Sequence, residues 1–293
     1  MNAKLTVLAV SAAVMGFASA ASAQTVHIED AAARVIYRPE NRSDFEVAIT
    51  GNGASNLPQL RVERSGGDLR INGGLSRNRN VRVTRCRNGN ADMPPASPGQ
   101  GASVNVPGIG TIEMVNTPLI VISGPRDAKI RTSGVVHGTV ARGAENVDIG
   151  FGGCGSWVVA NTDDRVRISI GGSGHVWTGR ARRMDLNIGG SGRVRAGSVE
   201  QLDVAIGGSG DIDVRRVSGP VKVAVSGSGN VTIADGNMPT MDARIMGSGN
   251  IEAGGVVGDL NARIMGAGNI QVERVTGNIS RTVVGVGRIT VND

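Results

Sequence analysis

The triplet Gly-x-Gly recurs eight times along the second half of the chain, from Gly153-Cys154-Gly155 through Gly172-Ser173-Gly174, Gly190-Ser191-Gly192, Gly208-Ser209-Gly210, Gly227-Ser228-Gly229, Gly247-Ser248-Gly249 and Gly266-Ala267-Gly268 to Gly285-Val286-Gly287. The steps are 19, 18, 18, 19, 20, 19 and 19 residues. Self-similarity at so short a period marks a chain whose units bury their apolar faces only against one another. A stacked array is therefore required before any strand or helix is assigned.

Ahead of each triplet apolar and polar residues alternate, as in Val166-Arg167-Ile168-Ser169-Ile170 and Leu202-Asp203-Val204-Ala205-Ile206. The alternation resumes after it, as in Asp211-Ile212-Asp213-Val214, and a further apolar residue such as Val199, Val217, Val256 or Val275 follows. A period of two, rich in β-branched residues, is the pattern of a strand with one buried face. Each unit reads as two short strands, a glycine corner and a looser return. Parallel stacking would place each residue about 4.8 Å from its counterpart, so eight coils would extend about 38 Å. Glycine suits the corner because it lets successive coils approach closely. Ile168, Leu186, Val204 and Val223 are predicted to form one inward stack, with Arg167, Asp185, Asp203 and Lys222 outside. In the last unit Arg281 takes the inward slot held by Val204, Ala243 or Ala262 and reads as a charged cap against edge pairing.

Composition agrees with an all-β solenoid of 18–20-residue coils with Gly-Ser-Gly corners, joined to a less regular N-terminal β part. The 293 residues include 45 Gly but only three Phe, two Trp and one Tyr, which excludes a core built on aromatic anchors and argues against helices. The net charge of +6 comes almost wholly from Arg, since Lys occurs only at Lys4, Lys129 and Lys222. Acids are interleaved, and aromatics do not alternate with basic residues, so nucleic acid is not an expected partner.

Three segments are predicted. Residues 1–23 combine Lys4, an apolar run from Leu5 to Phe17 and the small-residue end Ala21-Ser22-Ala23, the pattern of a secretory signal peptide cleaved before Gln24. Residues 24–117 form the irregular β region, with a Pro/Gly loop near 86–110 that contains Pro94-Pro95, Pro98, Gly99 and Pro107. Within it, Phe45-Glu46-Val47-Ala48-Ile49 ahead of Gly51-Asn52-Gly53 has the offsets of a degenerate coil. Residues 118–293 are the regular solenoid. No later stretch is long and apolar enough to span a membrane, so the mature chain is expected in the periplasm, secreted or at the cell surface.

Several motifs have chemical readings that their context removes. Gly150-Phe151-Gly152-Gly153-Cys154-Gly155 satisfies a dinucleotide fingerprint, but strand-like Ser156-Trp157-Val158-Val159 follows where a helix is needed. The Gly-Ser-Gly corners do not complete a nucleophile elbow, because His175 and Arg193 stand where the last glycine belongs. Gly207-Gly208-Ser209-Gly210-Asp211 starts like a calcium nonapeptide and fails at Ile212. Asp211 and Asp213 share a side but stack beside Arg193 and Arg195, as cross-strand ion pairs do. Asn230, Asn250 and Asn269 form a structural amide column. Cys86 and Cys154 are either a disulfide or two separate thiols, and with His27, His137 and His175 they make no zinc spacing, so neither metal nor cofactor is expected.

One surface stands out. His175 and Trp177 fall on outward positions, with Arg195 in the next coil and Arg180, Arg182 and Arg183 in the following return, a grouping suited to an acidic polymer or a sugar ring unless the arginine stems or the irregular N-terminal part cover the indole. Trp157 aligns with inward Val176 and belongs to the core.

The glycine corners, their 18–20-residue period, the signal-like N-terminus and the lack of a catalytic motif resemble the auto-transporter adhesin (head GIN domain) family of exported bacterial proteins, over roughly Leu119 to Asp293 with weaker echoes from Val35 to Gly74. The resemblance implies a right-handed parallel β-helix and adhesin-like binding, with no catalytic residues to carry over. The chain lacks the ten-residue amphipathic barrel strands of a complete autotransporter, so self-translocation is not expected. The expected function is non-enzymatic binding of a surface, polymer or protein, with an acidic glycan or another cell-envelope component as partner. Two alternatives stay open: a polysaccharide lyase or hydrolase on the same fold, and a self-assembling cell-envelope subunit.

Overall fold

The structure is a computed structural model and describes residues 24–51, 56–75 and 85–292. The signal-peptide reading of residues 1–23 and the triplet residues Asn52 and Gly53 lie outside the described residues. Strands make up 65% of the chain, there is no α-helix among the described residues, and the strands form a parallel β-solenoid of about nine turns spaced about 19 residues apart.

Alternation decides which side chains enter the core, and the fixed period decides what they meet there. Ile130, Ile149, Ile168, Leu186, Val204, Val223, Ala243 and Ala262 stack in one inward column, each paired with its counterpart in the next coil. All are buried. The adjacent outward column runs Lys129, Asp148, Arg167, Asp185, Asp203, Lys222 and Asp242. Each buried Val, Leu or Ile contributes about 1.5–3 kcal/mol relative to exposure, whereas an exposed ion pair such as Arg167 with Asp185 contributes about 0–1. The apolar columns therefore hold the coils together and the charges decorate them. At the corners the backbone bonds coil to coil, with Ser191 N–H donating to Gly172, Ser209 to Gly190 and Ser228 to Gly208, each at 3.0 Å. Arg281 is in register with Ala262 and is exposed.

The N-terminal part is more mixed. Strand β1 (Val26–Glu40), assigned from sequence to the irregular region, joins the parallel stack through β9 (Asp127–Val140), with Val35 opposite Gly138. Strands β2 (Glu46–Thr50), β3 (Arg61–Ser65) and β4 (Asp68–Asn72) follow. The sequence reading of Phe45–Ile49 as a degenerate coil is wrong: β2 lies antiparallel to β8 (Leu119–Pro125). The return between β1 and β2 is short, and Arg42 bonds Glu40, Asp44 and Glu46 across it, so the chain reverses where a coil would need a long excursion. Likewise β3 is antiparallel to β4, which pairs in parallel with β1.

The Pro/Gly segment is also more than a loop. Strands β5 (Arg85–Arg87), β6 (Ser103–Val106) and β7 (Gly110–Glu113) form a three-stranded antiparallel sheet. Val104, Val106, Ile112 and Met114 build a small second core against Ala32 and Val135, outside the main stack.

Candidate functional site

The segment that joins β5 to β6 lies across the second-strand face of the early coils. Cys86 is joined to Cys154 by a disulfide with Cα atoms 6.5 Å apart, which ties the segment to a glycine corner. Asn88 donates through Nδ2 to the Ser173 carbonyl at 2.7 Å and accepts from Gly155 N–H at 3.1 Å. Arg195 donates to the Asp92 carboxylate at 2.7 Å and to its carbonyl at 2.5 Å.

Beneath this strap an outward column places one polar residue per coil. His137 Nδ1 and Ser156 Oγ are 2.7 Å apart, and Ser156 is in register with His175, itself opposite Arg193. His137 is fully buried and its Nε2 has no partner among the described residues. Burial above all, and then the charge of His175, push its pKa down to about 4. Burial, followed by Arg193 and Arg195, lowers His175 as well, against the opposing pull of Asp92. The Ser156–His137 pair has two parts of a nucleophilic dyad, but Ser156 is only 3% exposed and Nε2 meets no orienting carboxylate among the described residues. In this geometry it is a buried hydrogen bond.

Trp177 occupies the next outward column, between Val158 and Arg195, with the His175 ring edge-on at 6.0 Å. From sequence, Trp177 either faces a ligand or is covered by the arginine stems or by the N-terminal part. The covered arrangement is the one found: Trp177 is only 7% exposed. The strap at Asp92 and Pro94 covers a position that the solenoid alone would leave open. Beside Trp177 lies a groove of about 730 Å³ bounded by Pro94, Asn161, Arg180, Arg195 and Arg215.

Of the residues singled out from sequence, Trp177, Arg180 and Arg195 meet at this groove, with His175 against the indole edge. Arg183 does not: it pairs with Asp164 at 2.6 Å and lines a different groove on the first-strand face. Arg182 is exposed and outside the groove lining. Arg195 is already committed to Asp92 and to Asp213, at 3.5 Å. Arg180 and Arg215 have no ion pair among the described residues. Sequence reasoning missed Arg215, Asn161 and the strap residues. It also missed that His137, Ser156 and His175 are spaced by 19 residues each, and so share one column.

The asparagine column is a ladder of amide hydrogen bonds. Asn230 Nδ2 donates to Asp211, Asn250 Nδ2 to Asn230 and Asn269 Nδ2 to Asn250, at 3.0–3.1 Å. Among the described residues no group of three or more His, Cys, Asp or Glu is disposed to hold a metal ion.

A family model described as "Putative auto-transporter adhesin, head GIN domain" matches residues 31–235 and again 213–293. A solved structure from Parabacteroides distasonis ATCC 8503, described as a "Putative lipid binding protein", is 17% identical, with a TM-score of 0.45 over 92% of this chain and 92% of that one. No curated protein matches.

Proposed function

The chain belongs to the auto-transporter adhesin head GIN domain family, and from that premise we propose that it is an exported, non-enzymatic binding module of the periplasm or cell surface whose ligand is an acidic glycan of the cell envelope. The observation that carries this reading is the pair of unneutralised guanidinium groups, Arg180 and Arg215, at the edge of the strapped groove. They belong to coils separated by two steps, about 10 Å along the axis. One small anion would not bridge them, whereas successive carboxylates of an extended polymer would. Arginine suits the task, because its planar fork takes a carboxylate through two parallel hydrogen bonds. Trp177 contributes a rigid wall rather than a stacking face, so Trp177→Ala would test packing and not recognition.

The test is calorimetric titration of the purified chain with polygalacturonate, with neutral dextran and soluble peptidoglycan fragments in parallel. Arg180→Gln with Arg215→Gln should weaken polygalacturonate binding about tenfold, a loss of about 1.4 kcal/mol, while Arg182→Gln leaves it unchanged. Equal affinity for dextran and polygalacturonate, or equal effects of the two sets of substitutions, would reject the acidic-glycan reading.

A further inference from the structure

We propose that the glycine corner of the last three coils is a docking edge for an anionic lipid surface. The corner position just past the first strand is held by Gly152, Gly171, Gly189, Gly207 and then Ser226 in successive coils. From the next coil onward it becomes Met246, Met265 and Val284. Two residues further on, the run Ser173, Ser191, Ser209, Ser228 and Ser248 gives way to Ala267 and Val286. Met246 is 54% exposed, Met265 60%, Val284 61% and Val286 87%. Stacked at the coil spacing of about 4.8 Å they form a continuous ridge, unlike single apolar residues scattered over a surface.

The fold does not require these side chains. The corner backbone bonds are the same with or without them: Ser209 N–H to Gly190 and Ala267 N–H to Gly247 are both 3.0 Å, and Val286 N–H to Gly266 is 3.1 Å. The ridge therefore has a use other than closing the coil.

Cations enter in the same coils. Two residues before the ridge, the outward column changes from Ala205 and Ala224 to Arg244 and Arg263. On the other side of the corner the asparagine column Asn230, Asn250 and Asn269 ends in Arg288. Arg244 bonds Asp242 at 2.6 Å, whereas Arg263 and Arg288 have no ion pair among the described residues. Apolar side chains of modest length bordered by unneutralised guanidinium groups are the chemistry of a peripheral membrane contact. The methionines and valines enter the boundary between headgroups and acyl chains, and the arginines reach lipid phosphates. Charge complementarity favours an anionic bilayer over a second copy, since the ridge and its border carry one sign of free charge. This edge lies in coils beyond those that form the Arg180–Arg215 groove, and the proposal stands independently of the glycan reading.

The full chain is mixed with vesicles of phosphatidylcholine, with and without phosphatidylglycerol, and treated with chloramine-T, a charged oxidant excluded from the bilayer. Peptide mass spectrometry then reads each methionine. Met246 and Met265 should oxidise about tenfold more slowly on the anionic vesicles, while Met93, 65% exposed and far along the chain, oxidises at an unchanged rate. Because the readout is local, an apolar N-terminal run that touched lipid would not imitate it. Met246→Ser, Met265→Ser, Val284→Ser and Val286→Ser together restore residues found in the earlier corners. They should keep the melting temperature and weaken anionic-vesicle binding about tenfold or more. Arg263→Gln with Arg288→Gln should remove the preference for phosphatidylglycerol and flatten the salt dependence. Unchanged methionine oxidation on anionic vesicles, or a four-serine variant that binds them like wild type, would overturn the proposal. Lipid-free self-association that the four serines abolish would overturn it in favour of a second copy.

Discussion

In the middle coils, the surroundings of a side chain are set by the residue one period away. Val204 lies between Leu186 and Val223, each in the same orientation and the same strand of its own coil. In the N-terminal part, the same kind of alternation at Val47 and Ile49 leads to a strand that faces Ile122 and Ile120 in the opposite direction, with its remaining residues exposed. Alternation therefore fixes which face is buried in both regions, while the return fixes the direction of the neighbour. A long return carrying an inward residue such as Val199 or Val217 yields a parallel coil. The short charged return clamped by Arg42 yields an antiparallel cover over the first coils.

The largest test of this contrast is to place the same charge in both regions. Val204→Asp would bury a carboxylate with no partner in the middle of the inward column and should cost about 3–5 kcal/mol in urea unfolding. Val47→Asp, on a strand covered from one side only, should cost about 1 kcal/mol or less, and Asp203→Ser, on the outward column, close to none. Equal losses at Val204 and Val47 would mean that the antiparallel cover is as much a part of the core as the coils.

Strapped and bare coils should differ next in their response to acid. The His137 pKa falls from 6.5 to about 4 on folding, so the unfolded chain takes up the proton first as pH drops. This contribution to stability is complete above about pH 6.5, falls as pH decreases through the window, and is gone below about pH 4. A difference of this size corresponds to about 3 kcal/mol. His137→Gln should flatten that part of the stability profile, measured as the difference between variant and wild type. Parallel profiles for the two proteins between pH 6.5 and 4 would show that the ring is not held neutral beneath the strap.

Why the coils were readable and the site was not follows from the same contrast. A solenoid repeats its instructions, so the sequence alone aligns Ile168, Leu186 and Val204, and Val176 alone assigns Trp157 to the core. The outward placement of Trp177 was equally legible. Cover by the N-terminal part was one of two readings, but the residues that supply it were not legible, because Asp92 and Pro94 come from a segment with no period, and nothing local says where such a segment lands. Two signals were present all the same. Cys154 interrupts a corner column otherwise held by Ser173, Ser191 and Ser209, and marks the coil to which the strap is tied. The 38-residue interval from His137 to His175 is two periods, with Ser156 between them, and so announces the buried column. The antiparallel turn of β2 had no such marker beyond the acidic cluster around Arg42.

The finest test concerns glycine, used for opposite reasons in the two regions. At Gly208 an added Cβ would lie 2.2 Å from the Gly190 carbonyl oxygen of the preceding coil, so the limit is the distance between coils. At Gly108, on the β6–β7 turn, nothing lies within 4 Å, but φ is +81°, so the limit is the backbone itself. Gly208→Ala forces two coils apart and should cost about 2 kcal/mol. Gly108→Ala meets only the left-handed penalty of about 1 kcal/mol. Asparagine separates the two mechanisms, because it tolerates positive φ but still carries a Cβ. Gly108→Asn should recover most of the alanine loss, and Gly208→Asn should recover none. Recovery at both positions, or at neither, in denaturant midpoints of the four variants would show that coil spacing and turn conformation are not the separate constraints described for these two regions.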